Sequence, residues 1–405
     1  MTTPAGAGTG AVAVVGAGLA GLSAVRALRA EGYAGRVVLI GAEAHAPYDR
    51  PPLSKGFLAG SVPFEQLSLA APDDADLDVE RRAGTVAVAL LLRERAVLLG
   101  SGERVGGDGV VIATGARAAV LPGHVPAGVH TLRTVDDAIA LRADLRPGAR
   151  LVVVGAGFIG AEVASTARGL GLDVTVVELA PVPLEAALGA ELGAVCGALH
   201  ADHGVQLVTG VGVDGLLAGS PGEDRVRAVR LADGRELPAD VVLVGIGSRP
   251  NVEWLAGSGL DATGGVLTDA AGTTSVPGVV ATGDCARRVE PTAGGVVVRQ
   301  EHWTNALQHP QVAVAALLGT APPVLPATAV LPYFWSDQYG VRLQFAGHRR
   351  AGDTVEVIEG RLDDRSFVAV YRREGVAVAV LSMNSPRGFG KVRRELAASA
   401  TARNP

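Results

Sequence analysis

One local pattern occurs twice in this chain and restricts its fold more than any other feature. The first copy comprises an apolar run Ala11–Val15, a turn at 16–21 (Gly-Ala-Gly-Leu-Ala-Gly), a helix-forming stretch to about Ala30 and an apolar run at 37–40. The second copy, 139 residues later, comprises an apolar run at 151–154, a turn at 155–160 (Gly-Ala-Gly-Phe-Ile-Gly), a helix over 161–169 and an apolar run at 174–177. Each copy predicts a strand, a tight turn, a helix and a second strand.

Glycine at these spacings is typical of a dinucleotide site. The first glycine permits the turn, the second lets the backbone approach a pyrophosphate, and the third lets the helix pack on the strand. The helix N-terminus then faces the anion. An acid follows each turn at about the ribose-binding distance, Glu43 at 22 residues past Gly21 and Glu178 at 18 past Gly160. One such turn is weak evidence, but two with acids favour two nucleotide sites.

The acid after the second turn also indicates which nicotinamide cofactor would bind. A site for NADP places basic side chains after this strand to hold the 2′-phosphate. Residues 179–199 contain no Lys or Arg. Glu178 would repel a phosphate and accept hydrogen bonds from free ribose hydroxyls, so NADH is predicted over NADPH.

The length of 405 residues is too great for one ordinary core, and two or three domains are expected. Further apolar runs at 241–245 and 278–284 end in glycine or in Gly-Asp, and a Pro-rich stretch at 321–326 is predicted to be a linker. Beyond it, four runs predict strands at 341–345, 355–358, 367–371 and 376–381, with a hairpin turn at 373–375 and a helix near 391–398.

The predicted fold is α/β, with two Rossmann-like dinucleotide-binding domains and a small C-terminal α+β domain. The predicted boundaries are 1–115 with 246–325 for the first domain, 116–245 for the second and 326–405 for the third.

Charge argues against nucleic acid as the partner, because the net charge is −5. Residues 331–405 nevertheless carry 12 Lys and Arg against 8 Asp and Glu, which indicates either a docking face for an acidic partner or an ordinary solvated surface. The first 25 residues are uncharged, but they lack a basic start and are interrupted by glycines, so neither a signal peptide nor a membrane span is predicted. A soluble, cytoplasmic protein is expected.

The two cysteines, Cys196 and Cys285, are far apart and outside any C-x-x-C spacing. This excludes a disulfide scaffold and a local thiol relay, and no metal site is predicted. Cys285 is predicted to be a buried apolar side chain.

Further motifs resemble one family, the NADH-dependent ferredoxin reductases of oxygenase systems, which have the glutathione-reductase-like fold with two dinucleotide sites. The resemblance covers nearly the whole chain. Besides the two turns it is carried by residues 47–55 (Pro-Tyr-Asp-Arg-Pro-Pro-Leu-Ser-Lys), 113–117 (Ala-Thr-Gly-Ala-Arg), Glu162, 247–251 (Gly-Ser-Arg-Pro-Asn), 282–284 (Thr-Gly-Asp) and 301–303 (Glu-His-Trp) with Asn305, Ala306 and Gln308. The string at 47–55 is specific, whereas the glycine turns are shared with many flavoenzymes.

The resemblance implies FAD at the first turn and NADH at the second. Glu43 would hold the ADP half of FAD, Asp284 the ribitol, and Trp303 would lie against the isoalloxazine. Glu162 would face the nicotinamide and could pair with Lys55. The cofactor-binding residues so predicted are Gly16, Gly18, Leu19, Ala20, Gly21, Glu43, Arg50, Pro51, Lys55, Ala113, Thr114, Gly115, Arg117, Gly155, Gly157, Phe158, Ile159, Gly160, Glu162, Glu178, Gly247, Asp284, Glu301, His302, Trp303 and Trp335, and the predicted catalytic residues are Lys55, Glu162 and Trp303.

Three predicted site residues also admit a simpler interpretation. Lys55 is one of only two lysines among 36 basic residues, which indicates a need for a compact ammonium unless it is a chance exposed lysine. His302 is interpreted as a packing or flavin-contact residue rather than a catalytic histidine. Trp335 belongs to an aromatic cluster that is either core or, by the resemblance, a junction facing the flavin.

The leading hypothesis is therefore electron transfer from NADH through FAD to a 2Fe-2S ferredoxin serving a mono- or dioxygenase. Its candidate docking surface for an acidic ferredoxin includes Arg349, Arg350, Arg387, Lys391, Arg393 and Arg394. A rubredoxin reductase, another NADH-dependent flavoprotein reductase or a flavin-bearing redox sensor remains open. A disulfide, peroxide or oxygen reductase is disfavoured, because residues 41–112 contain no cysteine.

Overall fold

The structure is a computed structural model that describes residues 10–219, 224–290, 294–322 and 331–403. Its first sheet has seven strands, with Val279–Ala281 pairing beside Arg104–Ile112. The other strands follow in the order Val79–Arg82, Arg36–Ile40, Ala11–Val15, Arg104–Ile112, Ala96–Leu99 and Ala87–Leu91. Ala11–Val15 is buried along its whole length, as expected for a parallel strand covered on both faces.

The second sheet has five strands, all parallel. Their order is Gln206–Thr209, Asp173–Glu178, Arg150–Val154, Val241–Val244 and Val129–His130. The predicted strands of both glycine-rich units are present, but the second helix begins at Phe158, three residues before the predicted start. Gly157 is extended and caps this helix, so the chain becomes helical directly after it.

The α-helices cover the two sheets and close the chain. They are Leu19–Ala30, Val135–Asp144, Phe158–Gly169, Glu185–Leu188, Ala190–Asp202, Trp303–Leu318 and Pro386–Arg403. Trp303–Leu318 packs beside Leu19–Ala30, where Ala313 and Val314 join the apolar cluster formed by Ala24 and Leu28. The long helix after the 301–303 motif is thereby fixed to the helix of the first glycine-rich unit.

Three small sheets complete this part of the molecule. They are Val213–Ala218 with Val226–Leu231 and Glu236–Pro238, Val266–Thr268 with Ala286–Glu290 and Val296–Val298, and Ala116–Ala118 with Ser248–Pro250. The last pair is antiparallel and lies where the chain leaves the first sheet for the second and where it returns.

The C-terminal sheet is antiparallel, with five strands. Their order is Tyr333–Gln338, Val341–Gly347, Val376–Met383, Ser366–Arg373 and Thr354–Arg361. One face packs on Pro386–Arg403 and the other on Ala190–Asp202 of the second unit. The predicted α/β class with a small C-terminal α+β domain is confirmed.

The edge strand Tyr333–Gln338 was not predicted, because its sequence (Tyr-Phe-Trp-Ser-Asp-Gln) shows no apolar-polar alternation. The predicted hairpin turn is present, with Glu374 at φ 50° and Gly375 at φ 79°, as in a type I′ turn. The closing helix Pro386–Arg403 is longer than predicted. It contains Gly388, where a Cβ would lie 2.5 Å from a carboxylate oxygen of Glu359, so close packing explains this helical glycine.

Two expectations concern other parts of the chain. The predicted linker at 321–326 lies mostly outside the described residues. Within the described ranges, no helix is both long enough and apolar enough to cross a membrane.

Candidate active site

A large cleft of about 1190 Å³ is lined by residues from both glycine-rich units and from the C-terminal sheet. Most of the residues that the sequence predicted for the site line it. They are Gly16, Gly18, Leu19, Ala20, Glu43, Arg50, Pro51, Lys55, Ala113, Thr114, Gly115, Arg117, Gly157, Phe158, Ile159, Glu162, Gly247, Asp284, Glu301, His302, Trp303 and Trp335. Gly21, Gly155 and Gly160 do not line this cleft but pack against neighbouring backbone, and Glu178 contacts the second turn through its carboxylate, as described next.

The first glycine-rich turn has two crowded glycines and one open glycine. Gly16 has φ +113°, and a Cβ there would lie 2.1 Å from the carbonyl oxygen of Ala113. A Cβ at Gly21 would lie 1.8 Å from the carbonyl oxygen of Gly16. At Gly18, by contrast, a Cβ would have no described atom within 4 Å, because this residue faces the cleft at the start of the helix. The turn therefore presents bare backbone to a ligand.

The second turn repeats this arrangement. Gly155 has φ +102°, with a Cβ position 2.4 Å from the carbonyl oxygen of Gly245, and Gly160 is equally crowded against Gly155. A Cβ at Gly157 would meet no atom of the described chain within 4 Å. The two turns thus offer the same kind of anion-binding helix start at two places in one cleft.

The two acids that follow these turns are held in different ways. Glu178 accepts hydrogen bonds from the backbone N–H groups of Ala156 (2.7 Å) and Ala180 (2.8 Å), so it fixes the second turn. Glu43 accepts from side chains instead, from the guanidinium of Arg50 at 2.7 Å and from the hydroxyl of Tyr48. Arg50 is thereby oriented along the cleft by the acid of the first unit.

Lys55 and Glu162 form a salt bridge, with 2.6 Å between Nζ and Oε2. Ser54 Oγ donates to the same carboxylate oxygen at 2.5 Å, and Ser336 Oγ donates to Oε1 at 2.6 Å. Glu162 is 5% exposed and Lys55 lines the cleft beside it. Burying a carboxylate to this degree costs free energy unless it is paired and hydrogen-bonded, and these three donors provide both.

Asp284 lies against the guanidinium of Arg133. Burial raises the pKa of Asp284, and the charge and hydrogen bond of Arg133 oppose that rise. Arg133 also donates to the carbonyl oxygen of Ala116 at 3.0 Å, while its own carbonyl accepts from Arg50 at 2.6 Å. Asp284 is therefore a partly buried, paired carboxylate that lines the cleft.

An aromatic group closes the end of the cleft next to the C-terminal sheet. Trp303 donates its indole N–H to Asp49 at 2.8 Å, and its ring meets Trp335 edge-on at 6.0 Å between centroids. Tyr333 stacks on Trp335 at the same separation. Burial raises the pKa of Asp49, and the Trp303 N–H opposes that rise.

His302 packs among these aromatics, 5.3 Å from the ring of Phe334, which in turn lies 4.7 Å from Phe158. Burial lowers the pKa of His302 to about 4, so the ring is neutral at neutral pH. Its Nδ1 atom is buried and makes no hydrogen bond to the described residues. These features favour the packing or ligand-contact role over proton transfer.

The outer rim joins segments that are distant in the chain. Thr114 Oγ1 donates to the carbonyl of Asn251 at 2.6 Å, and Asn251 Nδ2 donates back to the carbonyl of Thr114 at 3.0 Å. Glu301 pairs with Arg299 at 2.7 Å, and Arg117 pairs with Glu253. The rim is held together by these reciprocal contacts.

Sequence reasoning missed Arg133, Ser336, Phe334 and Asp49 as site residues. Asp49 lies inside the 47–55 motif, so the motif itself was the signal for it. Ser336 and Arg133 reach their partners across 174 and 151 residues, and nothing in their local sequence marks them.

Both cysteines are buried, as predicted for Cys285. Burial raises the pKa of the Cys285 thiol and raises that of Cys196 to about 12. Neither is suited to attack a disulfide, because the reactive form is the thiolate.

Residues 10–310 match the model of the pyridine nucleotide-disulphide oxidoreductase family, and residues 333–404 match the reductase C-terminal model. The chain belongs to this family. It is 38% identical to the ferredoxin reductase component of chlorobenzene dioxygenase from Cupriavidus sp. (strain PS12), covering 96% of this chain and 93% of that one. It is 35% identical to putidaredoxin reductase from Pseudomonas putida, covering 94% and 90%.

Solved structures agree in fold. The covalent putidaredoxin reductase–putidaredoxin complex aligns with a TM-score of 0.90 at 34% identity, covering 96% of this chain and 93% of that one. The ferredoxin reductase for the CYP199A2 system of Rhodopseudomonas palustris aligns at 0.87 and 35%, covering 95% of each. The C-terminal sheet is thus part of the fold that these reductases share.

Proposed function

We propose that this chain is an NADH:ferredoxin reductase that supplies electrons to a mono- or dioxygenase, with FAD and NAD(H) as its cofactors. The observation that carries the proposal is one cleft running from the first glycine-rich turn to the second, in a chain whose relatives are named ferredoxin reductases over nearly their whole length. The family's disulfide chemistry does not extend to this chain, because its cysteines are two separate buried thiols.

The residues present fit FAD and a nicotinamide nucleotide together. The cleft exceeds the roughly 300–1,000 Å³ of pockets for drug-sized ligands, and a dinucleotide is larger than such a ligand. The open faces of Gly18 and Gly157 leave room for a pyrophosphate at each helix start. In this proposal Gly18 and Glu43 hold the adenosine diphosphate part of FAD, and Asp284 holds its ribitol.

NADH is proposed over NADPH. Both oxygens of Glu178 already accept backbone hydrogen bonds, so the charge stays at the end of its strand. The next residue, Leu179, is 73% exposed and supplies no cation for a 2′-phosphate. A fixed carboxylate at this position repels that phosphate.

When bound, FAD would supply the conversion of a hydride from NADH into single electrons, and this chemistry is the cofactor's own. The protein's residues position and shield the reacting groups. Neutral His302, Phe158 and Phe334 provide an apolar wall that excludes water from the nicotinamide side. Lys55 holds an ammonium at the cleft surface, fixed by Glu162 and by the carbonyl of Pro51 at 3.1 Å.

The partner is proposed to be an acidic 2Fe-2S ferredoxin that docks at the flavin edge beside the C-terminal domain. Arg387, Lys391 and Arg394 lie within about one quarter of the circumference of the helix Pro386–Arg403, given 3.6 residues per turn. All three are exposed and have no ion-pair partner among the described residues. The opposite face is apolar and packs on the sheet, so this basic stripe faces solvent.

Two other basic residues of the predicted docking surface have different roles. Arg349 is partly buried and donates to the carbonyl of Ala186 at 3.1 Å, across the contact with the second unit. Arg393 is half-buried, with its guanidinium 4.4 Å from the centroid of Tyr333. It links the helix to Tyr333, which stacks on Trp335 at the cleft. The basic stripe is therefore proposed as Arg387, Lys391 and Arg394.

We propose domain boundaries at 115–116 and 245–246, according to the sheet to which each strand belongs. The strand Val279–Ala281 returns to the first sheet, and Val241–Val244 belongs to the second. The FAD-binding domain is therefore assigned to 1–115 with 246–325, the NAD-binding domain to 116–245 and the C-terminal domain to 326–405. The cytoplasm is proposed as the compartment, since NADH is supplied there.

The cofactor assignment is tested by titrating purified protein with NADH and with NADPH while following flavin absorbance. NADH should bleach the flavin at much lower concentration than NADPH. A protein that takes up no FAD would overturn the proposal. Faster transfer to rubredoxin than to ferredoxin would favour a rubredoxin reductase, and a long-lived reduced complex with slow onward transfer would favour a redox sensor.

The docking surface is tested with Lys391→Gln/Arg394→Gln against Arg93→Gln/Arg146→Gln, which removes the same charge from exposed arginines elsewhere. The stripe variant should lower kcat/KM for an acidic ferredoxin about threefold to tenfold at low salt, with the difference shrinking as salt rises. Ferricyanide reduction should be unchanged in both variants. A control pair that lowers ferredoxin turnover equally would show that only net charge matters.

A further inference from the structure

The carboxylate of Glu162 is held by residues from three separated parts of the chain. Lys55 and Ser54, from the segment after the first glycine-rich unit, both contact Oε2. Ser336, from the C-terminal sheet, donates to Oε1. Glu162 itself lies on the helix of the second unit. Both carboxylate oxygens are therefore fixed, and each is fixed by a different region.

The contact from Ser336 depends on a hydroxyl group whose orientation is set by a neighbouring side chain. Ser336 is completely buried, and Gln338 Nε2 donates to its oxygen at 3.0 Å. With one lone pair of that oxygen so occupied, the Ser336 proton is directed to the acceptor, which is Glu162. The order of donation is Gln338 to Ser336 to Glu162.

The strand that carries Ser336 is anchored on the second unit by the turn that follows it. The backbone N–H of Tyr339 donates to Ser165 Oγ at 2.7 Å, and the Tyr339 hydroxyl lies 2.7 Å from Nδ1 of His200. The His203 ring stacks on Tyr339 at 4.6 Å. The position of Ser336 relative to Glu162 is therefore set by packing rather than by a mobile loop.

A carboxylate held at only one oxygen can rotate about its last side-chain bond, since this torsion has a broad minimum. Ser336 removes that freedom and thereby fixes the oxygen that Lys55 contacts. We propose that Ser336 is a positioning residue, through which the C-terminal domain holds Glu162, and with it the Lys55 ammonium, in place for hydride transfer. The inference rests on the proposed function, in which the nicotinamide lies beside Glu162.

The test compares Ser336→Ala with Ser382→Ala in FAD-loaded protein. Ser382 is a matched control because it is equally buried in the same sheet, and its hydroxyl has no hydrogen-bond partner among the described residues. Ser336→Ala should lower the limiting rate of flavin reduction by NADH about tenfold, as expected for losing a hydrogen bond to a charged group. The concentration of NADH at half-maximal rate should change much less. Ser336→Thr should restore the rate, and Ser382→Ala should leave it unchanged.

A second measurement shows whether the effect passes through Glu162. In a Glu162→Gln background, adding Ser336→Ala should change the rate by less than about twofold, because the carboxylate it positions is gone. An equal loss in both backgrounds would overturn the proposal. The absorption spectrum of the oxidised flavin, measured on the same proteins, should change for Ser336→Ala and not for Ser382→Ala, whereas NAD⁺ affinity by calorimetry should change little in either variant.

Two outcomes separate this inference from the proposed function. If NADH does not reduce the flavin of the unsubstituted protein, the proposed function fails. If it does and Ser336→Ala matches Ser382→Ala, only the positioning role fails. Should Ser336→Ala not fold, Gln338→Met provides the test, and a rate equal to that of the unsubstituted protein would contradict the order of donation.

Discussion

The two glycine-rich turns have the same backbone geometry and differ in what surrounds them. In the first unit, the segment 282–285 covers the turn so closely that a Cβ on Gly283 would lie 2.8 Å from that of Ala20. In the second unit Ile159 is 40% exposed at the corresponding place. A covered turn suits a cofactor that stays bound, and an open turn suits one that exchanges in every cycle.

The helices after the two turns differ at one informative position. Two residues beyond the third glycine, the first helix has Ser23 and the second has Glu162. Ser23 is buried, and its hydroxyl finds no partner among the described residues, whereas Glu162 binds three other side chains. In the proposed function the shared turn supplies nucleotide binding in both units, and the residue two positions after it lets the second unit contribute Glu162 to the reacting centre.

Replacing the open glycine of either turn, Gly18 or Gly157, with valine is expected to have the largest effect on cofactor binding. Gly18→Val should reduce flavin content more than tenfold, because the new side chain occupies the place proposed for the pyrophosphate of FAD. Gly157→Val should keep the flavin and weaken NADH binding by a similar factor. Flavin-to-protein absorbance ratios and NADH titrations measure these quantities.

Neither substitution should lower the unfolding temperature of the flavin-free protein, since both sites are open and have ordinary φ values. Loss of flavin from Gly157→Val, or its retention in Gly18→Val, would reverse the assignment of the two turns.

Replacing the acids after the turns should have a smaller effect, a change in nucleotide preference that occurs in only one of the two units. Glu178→Gln removes the charge that repels a 2′-phosphate and weakens two charge-assisted hydrogen bonds, so the preference for NADH over NADPH should fall about tenfold. Glu43→Gln should leave this preference unchanged, because its carboxylate binds Arg50 and Tyr48 in the other unit. The ratio of kcat/KM for the two nucleotides is the measurement, and a shift in both variants would contradict the separation of roles.

The smallest expected effect is on the pH dependence of stability, to which one buried histidine in each region contributes. Burial lowers the pKa of His200, which contacts Tyr339, and of His309, which contacts Thr282, to about 4 from the ordinary 6.5. Below pH 6.5 the unfolded chain takes up protons that the folded protein does not, so stability falls as pH drops from about 6.5 to about 4.

His200→Gln and His309→Gln should each flatten this part of the profile of unfolding free energy against pH by a similar amount, with His124→Gln at the surface as the control. If only one variant flattens the profile, the region that contains the other histidine already opens before the protein unfolds.

How much of the structure the sequence could predict depends on how far apart along the chain the interacting residues lie. The turns, their helices and the acids at fixed spacing are local, so periodicity and glycine positions were enough for the strands and the helix of each glycine-rich unit. Other predicted residues of the cleft, such as Arg50 and Asp284, were reached only through the resemblance. The pairing of Lys55 with Glu162 spans 107 residues and was reached only through the resemblance of motifs.

Contacts made by ordinary residues across long separations could not be predicted. Ser336 and Arg133 have no distinctive neighbours, and their importance arises only when the sheets pack. Counting charges identified the basic C-terminal region, but not that Arg349 faces the second unit and that Arg393 lies over Tyr333. The direction in which a side chain points, and the degree to which it is buried, are determined only when the chain folds.

The short antiparallel pair Ala116–Ala118 with Ser248–Pro250 has a consequence for how such proteins change over evolutionary time. Ala116 lies opposite Pro250 and Ala118 opposite Ser248, so the intervening segment starts and ends at neighbouring points. The chain enters and leaves this segment at two adjacent points, so the segment can be replaced without opening the first sheet, provided that its packing on Leu53, Phe57 and Leu58 is kept. If the second unit binds the nicotinamide nucleotide, as proposed, the preference for one such nucleotide can be exchanged between lineages while the proposed flavin-binding sheet stays intact.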